Sequence, residues 1–293
     1  MNKDMNLKNF AILSLLAVAL NLQAQTDLRA FAIYDNNGKP TSFQAMTDAL
    51  AEADVVFLGE MHNCPITHWL ELKTVEALWQ KSPDGLKVGM EMFEADNQLI
   101  IDEYFSRTIS SDRFENECRF WPNYSTDYAP VVDFLYEHHI PLVATNVPRR
   151  YANVVKGHGL AALDSLSAEA KRYIAPLPIA YENNENANAA FSLMSAMGKR
   201  SNPEYMGQAQ AVKDATMAWF IAKTLDRKTI HINGNYHSDA DSGIITYLKK
   251  YKPGVKIKTV YSVKQESISA LEDDYKGHAD FYVVVPQDMV TSY

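Results

Sequence analysis

Four short stretches of this sequence carry side chains able to move a proton, hold a metal or neutralise an anion. They are Gly59-Glu60-Met61-His62 with His68 beyond it, Glu91 within VGMEMFEADNQ, Thr145-Asn146-Val147-Pro148-Arg149-Arg150, and Asn233-Gly234-Asn235-Tyr236-His237. Glu60, His62, Glu91 and His237 offer imidazole nitrogen and carboxylate oxygen, the donors zinc and manganese take. Equally, Glu60 or Glu91 can orient His62 as a general base with no metal, and Arg149 can neutralise a carboxylate or an anion. Glu60, His62, Glu91, Arg149 and His237 are therefore the candidate catalytic set. Each alone is read as easily as a hydrogen-bonded loop residue or a helix cap. No HExxH, GxSxG elbow, Walker loop or GxGxxG is present, which removes the zinc proteases, serine hydrolases, P-loop enzymes and Rossmann dehydrogenases that carry those signatures.

The elements that must position these groups explain why they count together. Each stretch follows a short β-branched run: Asp54–Leu58, Leu86–Met90, Ile140–Ala144 and Thr229–Ile232. Two further runs, Val255–Val263 and Asp280–Val285, come later, and Ala30–Tyr34 suits an edge strand. Between them lie helical patterns at Thr67–Gln80, Asp127–His138, Pro203–Leu225 and Ser242–Tyr251. Near-continuous apolar strands alternating with helices predict an α/β fold, a mostly parallel sheet flanked by helices. In such a sheet the carboxyl ends of the strands share one edge, where ligands bind. Six polar groups, Glu60, His62, Glu91, Asn146, Arg149 and His237, are thus expected at that edge. Buried carboxylates and imidazoles are costly unless paired, so their convergence predicts a functional cleft.

Two long helix-leaning stretches, 96–128 and 161–210, interrupt the alternation and predict a smaller helical cap subdomain. Phe191, Met194, Met197, Tyr205, Met206, Met217, Trp219 and Phe220 give this region an adaptable apolar character. Along Pro203–Leu225 the stripe Ala209, Val212, Ala215, Trp219 and Ala222 has core spacing. Tyr205, Met206, Gln210, Lys213 and Met217 lie off it, facing either the cleft or solvent.

The chain has 293 residues, 28 Lys+Arg against 36 Asp+Glu, and 47% hydrophobic residues. That is a globular composition with a real core, and its net charge of −8 argues against charge-driven recruitment of nucleic acid. Lys3 and Lys8 precede the apolar run Phe10–Leu20, and Leu22-Gln23-Ala24 suits cleavage, so residues 1–24 are expected to be a signal peptide. An exported domain of residues 25–293 follows. No cysteine lies near the cleavage point to accept lipid. Cys64 and Cys118 are expected to stay unpaired, with a disulfide permitted and Cys64 a conceivable soft metal ligand.

The ordered set of segments resembles the ChaN-like haem-binding uptake proteins of the Tiki superfamily. The segments are VVFLGEMHNCPITHWLEL (Val55–Leu72), VGMEMFEADNQ (Val88–Gln98), Trp121–Tyr124, IPLVATNVPR (Ile140–Arg149), MGQAQAVKDATMA (Met206–Ala218) and HINGNYHSD (His231–Asp239). The resemblance implies haem held near a subunit interface of a homodimer, with two haems stacked face to face, and a role in iron uptake. It points to an outer-membrane haem receptor as a partner and to a periplasmic or outer-surface location. The missing lipobox cysteine departs from the many family members that are lipoproteins.

The superfamily also contains metal-dependent peptidases and esterase-like enzymes that share Gly-Glu-x-His and Gly-x-x-His, here ending in His62 and His237. Two readings follow. One is a haem-binding protein in which Tyr205 or Tyr181 ligates iron, Lys213 or Lys199 meets a propionate, and Met194 lines the ring. The other is a hydrolase, dependent on zinc or manganese or His-based, using Glu60, His62, Glu91 and His237.

Overall fold

The β-branched runs become the strands of one sheet in the computed structural model, which describes residues 28–182 and 202–293. The expected signal peptide lies outside the described residues. The strands are β1 (Ala32–Asp35), β2 (Val55–Glu60), β3 (Leu86–Glu94), β4 (Leu142–Asn146), β5 (Lys228–Gly234), β6 (Ile257–Gln265) and β7 (Phe281–Pro286). Their order is β1-β7-β6-β2-β5-β3-β4. All pairs are parallel except the edge pair β1–β7. The chain runs outward from β2 through β3 to β4, returns to insert β5 between β2 and β3, then crosses β2 to add β6. That reversal places the ends of β2, β5 and β3 side by side, where such sheets bind ligands.

The described helices are α1 (Phe43–Leu50), α2 (Pro65–Lys81), α3 (Gln98–Phe105), α4 (Ser111–Glu117), α5 (Ala129–Glu137), α6 (Arg149–His158), α7 (Pro203–Thr224) and α8 (Ile244–Tyr251). None is long and apolar enough to cross a membrane. Alternation along the central strands sorts side chains to two faces. Val56, Leu58, Ile230, Ile232, Val88 and Met90 join one core with residues of α2 and α5. Val55 and Phe57 join another with Met217 and Ala218 of α7 and with Ile244 and Leu248 of α8.

Three expectations change in detail. The polar groups expected just after the strands are partly within them: Glu60 ends β2, Glu91 is interior to β3 and Asn146 ends β4. Glu60 and Asn146 still pair in the sheet, with Gly234 and Glu94, whereas Glu91 sits where the β3–β4 register shifts between Met90 and Glu94. The two long inter-strand stretches pack into different cores. Ile101, Tyr104, Phe114 and Tyr128 of the first join the α2–α5 side of the sheet. Leu163, Ile174, Ala175 and Ile179 of the second join Val155 of α6 and Val212 of α7. Cys64, weighed as a metal ligand, is wholly buried at the N-cap of α2, and neither it nor Cys118 is paired.

Candidate functional site

Beyond the ends of β2, β3 and β5 opens a cavity of about 700 Å³. Glu60, His62, Glu91, Asn146, Arg149 and His237 all line it, so the strand edge does gather them. Alternation decides which helices each carboxylate meets. Glu60 shares parity with Leu58 and looks toward α2 and α5, whereas Glu91, one residue after Met90, looks toward α7.

The first pair is Glu60 with His62. The Glu60 side chain is wholly buried, and its Oε1 accepts the Tyr128 hydroxyl at 2.8 Å and the His62 ring Nδ1–H at 2.5 Å. Burial disfavours its charge, yet the His62 hydrogen bond and the neighbouring His68 ring hold its pKa down to about 2. Burial also opposes a proton on His62, but the Glu60 hydrogen bond and the charges of Glu91 and Glu60 outweigh it and raise its pKa. Trp121 meets the His62 ring edge-on at 4.9 Å. Gly234 lies against the other side of that ring: a Cβ there would stand 2.7 Å from His62 Nε2.

The second pair is His237 with Asp214. His237 Nδ1 donates to Asp214 Oδ1 at 2.5 Å, and its Nε2 lies 3.3 Å from Glu91 Oε1. Glu91 Oε2 accepts the Gly234 backbone N–H at 2.9 Å, and the Asn146 amide donates to the Glu91 carbonyl. Burial works against the His237 charge, but Glu91 and Asp214 raise its pKa to about 10. Glu91 is held well below the usual carboxylate range, the charge of His237 overcoming burial. Burial lifts Asp214, against the pull of His237.

Behind Glu60 lies a third, fully interior group. His68 Nδ1 stands 3.4 Å from Glu60 Oε2 and 3.3 Å from Glu71 Oε2, while its Nε2 is 3.4 Å from Asp127 Oδ2. Burial and the charge of Glu60 push the Glu71 carboxyl well above its ordinary pKa.

The cavity mouth combines cations with apolar wall. Arg149, Lys156 and Lys213 line it together with Met61, Trp121, Val147 and Met206. Tyr236, 51% exposed, stands at its rim.

Several expected residues fall elsewhere. Tyr205 does not line this cavity; its ring packs on the turn at Gly159, 3.1 Å from where a Cβ would sit. Tyr181 lines a neighbouring cleft of about 320 Å³ with Tyr247 and Lys250, sharing only Gln210 and Tyr236 with the main cavity. Met206, Gln210 and Lys213 do face the main cavity, but Met217 is fully buried in the core. Met194 and Lys199 lie outside the described residues. The four expected metal ligands split into the pairs Glu60–His62 and His237–Glu91; among the described residues the compact donor set is Glu60, His68 and Glu71. Asp214 and Tyr128 are partners that the spacing of motifs did not suggest. Asp214 did leave a trace: it shares a helical face with Gly207, Ala211, Ala218 and Ile221, all buried, where an acid needs a partner.

The family described as "Haem-binding uptake, Tiki superfamily, ChaN" matches residues 46–248. Among solved structures, one titled "Cofacial heme binding to ChaN of Campylobacter jejuni" superposes with a TM-score of 0.65 at 20% identity, covering 87% of this chain and 96% of that one. A Bacillus cereus protein superposes with a TM-score of 0.50 at 11% identity, covering 83% and 90%. No curated protein matches. At these identities the structural likeness speaks for the fold, and the family match spans most of the chain. On that match, the chain belongs to the ChaN family of haem-binding uptake proteins in the Tiki superfamily.

Proposed function

We propose that this chain is an exported haem-binding protein serving haem or iron acquisition. The observation that carries the reading is the cavity, set in a chain of this family. Met61, Trp121, Val147 and Met206 give it apolar lining, and Arg149, Lys156 and Lys213 give it three cations. Haem needs that combination: a slot for the ring, cations for two propionates and one axial donor. The volume of about 700 Å³ lies within the ordinary range for cofactor clefts, about 300–1,000 Å³. Tyr236 replaces Tyr205 and Tyr181 as the axial candidate, since it is the tyrosine lining this cavity. Bound haem supplies a ferric iron that a hard phenolate oxygen suits. The open rim, with Tyr236 half-exposed, suits coverage by a second copy of the chain, as the family resemblance implies.

Haemin titration tests this directly. A saturable Soret band, shifted in Tyr236→Phe with unchanged circular dichroism, is the expected result. Wild-type protein without saturable haemin binding overturns the haem reading. Sedimentation of the haem-loaded protein as a dimer is the matching expectation for assembly. Export is tested by intact mass from the native host, with a mature N-terminus at Gln25 and no acyl mass. An outer-membrane haem receptor is the donor that the family resemblance implies.

One feature favours a second reading as a hydrolase: two imidazole–carboxylate pairs face the same cavity. With Nδ1 bound to Glu60, His62 retains Nε2 as a base. Ester hydrolysis abolished by His62→Ala and Glu60→Gln, with no dependence on haem, is the result that would support it.

A further inference from the structure

We propose that Glu60, His68 and Glu71 form a buried zinc site beneath the cavity, fastening α2 to the end of β2. It is distinct from the quartet that the superfamily resemblance suggests and shares only Glu60 with it. Glu60 is 2% exposed, His68 4% and Glu71 5%. One donor atom from each lies within 4.8 Å of the others.

Two observations point to a bound ion rather than to a self-sufficient cluster. The first is unpartnered acceptors: Glu60 Oε2 and Glu71 Oε1 are buried with no hydrogen-bond partner. The other buried unpartnered atoms among the described residues are neutral amide atoms of Asn97, Asn123, Asn146 and Gln210, whereas these two are carboxylate oxygens, costlier to leave orphaned. Glu60 Oε2 is aimed into the cluster, at His68. The second is spacing. A charge-assisted N–H···O contact closes to about 2.7–2.9 Å. His68 Nδ1 instead stands 3.4 Å from Glu60 Oε2 and 3.3 Å from Glu71 Oε2. Bonds of about 2.0–2.1 Å around tetrahedral zinc put neighbouring donors about 3.3–3.4 Å apart. The other oxygen of the same glutamate meets His62 at 2.5 Å, so the wider spacing is local to this group.

The surroundings fit as well. His68 Nε2 lies 3.3 Å from the His62 backbone carbonyl, its hydrogen-bond acceptor, and 3.4 Å from Asp127 Oδ2. A metal on Nδ1 would thus leave the other ring N–H on a carbonyl beside a carboxylate, the support that metal-bound histidines ordinarily have. Asp127 is in turn held by the Asn123 amide at 2.7 Å and the Ser292 hydroxyl at 3.0 Å. Glu71 can give both oxygens, which with Glu60 and His68 makes four donors and uses the orphaned Oε1. A dication also offsets the three carboxylates collected around one imidazole.

Because the donors are interior, the metal enters as the chain folds. The mature chain would be unfolded in urea with EDTA, refolded with or without zinc chloride, dialysed, and its metal counted by mass spectrometry. About one zinc per chain is expected, with a higher melting temperature than the metal-free refolded protein. X-ray absorption should show only nitrogen and oxygen donors, with a single histidine. Glu71→Gln should lose the zinc and the rise in melting temperature; His68→Gln serves if that variant does not fold. Failure of the wild type to retain zinc overturns the proposal, as does zinc retained in Glu71→Gln or a second histidine in the absorption spectrum. Haemin binding is read separately, so either proposal can fail without the other.

Discussion

The Nδ1 of His237 sits 2.5 Å from Oδ1 of Asp214, joining the turn after β5 to the middle of α7. Both side chains are about nine-tenths buried, and the far side of the imidazole meets Glu91 of β3. One histidine thus locks a helix and two strands into the floor of the cavity.

Removing Asp214 should therefore be expensive. Asp214→Ala leaves a buried imidazolium with Glu91 as its main partner, and losing one member of a buried pair costs about 3–5 kcal/mol. Urea unfolding measures this; a loss below about 1 kcal/mol would show the pair contributes little.

The same pair gives stability a pH dependence. His237 takes its proton more tightly when folded, with a pKa raised to about 10 against an ordinary 6.5. Its contribution is complete below about pH 6.5 and is lost as pH rises toward about 10. Asp214→Asn should flatten that decline, read as unfolding free energy against pH. An equal slope in variant and wild type counts against His237 as its source.

His231 should behave in the opposite way. It is wholly buried, and burial lowers its pKa from 6.5 to about 4. The unfolded chain then binds the extra proton between those values, so acidification through about pH 6.5 to 4 favours unfolding, by up to about 3 kcal/mol. Its imidazole C2 proton should not titrate above about pH 5 in NMR. A midpoint near 6.5 would overturn the assignment.

Gly234 is needed for lack of a side chain. A Cβ at this position would lie 2.7 Å from both Cε1 and Nε2 of His62. Gly234→Ala should keep the fold, cost about 1–3 kcal/mol and displace the His62 ring. A crystal structure of the variant with His62 still on Glu60 and the ring unmoved would contradict this.

The cationic rim should matter for haemin more than for stability. Lys213→Ala and Arg149→Ala should each weaken haemin binding about three- to tenfold while shifting the melting temperature little. Titration followed at the Soret band reads the effect. Unchanged affinity in both variants would remove these cations from the propionate role.

Much of the fold was legible in the chain itself. Val-, Ile- and Leu-rich runs set the strands, and their alternation with helical periods set a parallel sheet, because a strand buried on both faces must be apolar throughout. That pattern also brought Glu60, His62, Glu91, Arg149 and His237 to one edge, since parallel strands end together. Tertiary structure alone decided the rest. Glu60 and Glu91 take different helical partners because a pleated strand sends successive side chains to opposite faces, and nothing local names the helix waiting there. Asp214 meets His237 across 23 residues of sequence, and Tyr128 meets Glu60 across 68. Tyr205 and Lys213 both lie off the core stripe of α7, yet one faces the Gly159 turn and the other the cavity. Helical period fixes the angle between two side chains, but what each angle confronts depends on how the helix is docked.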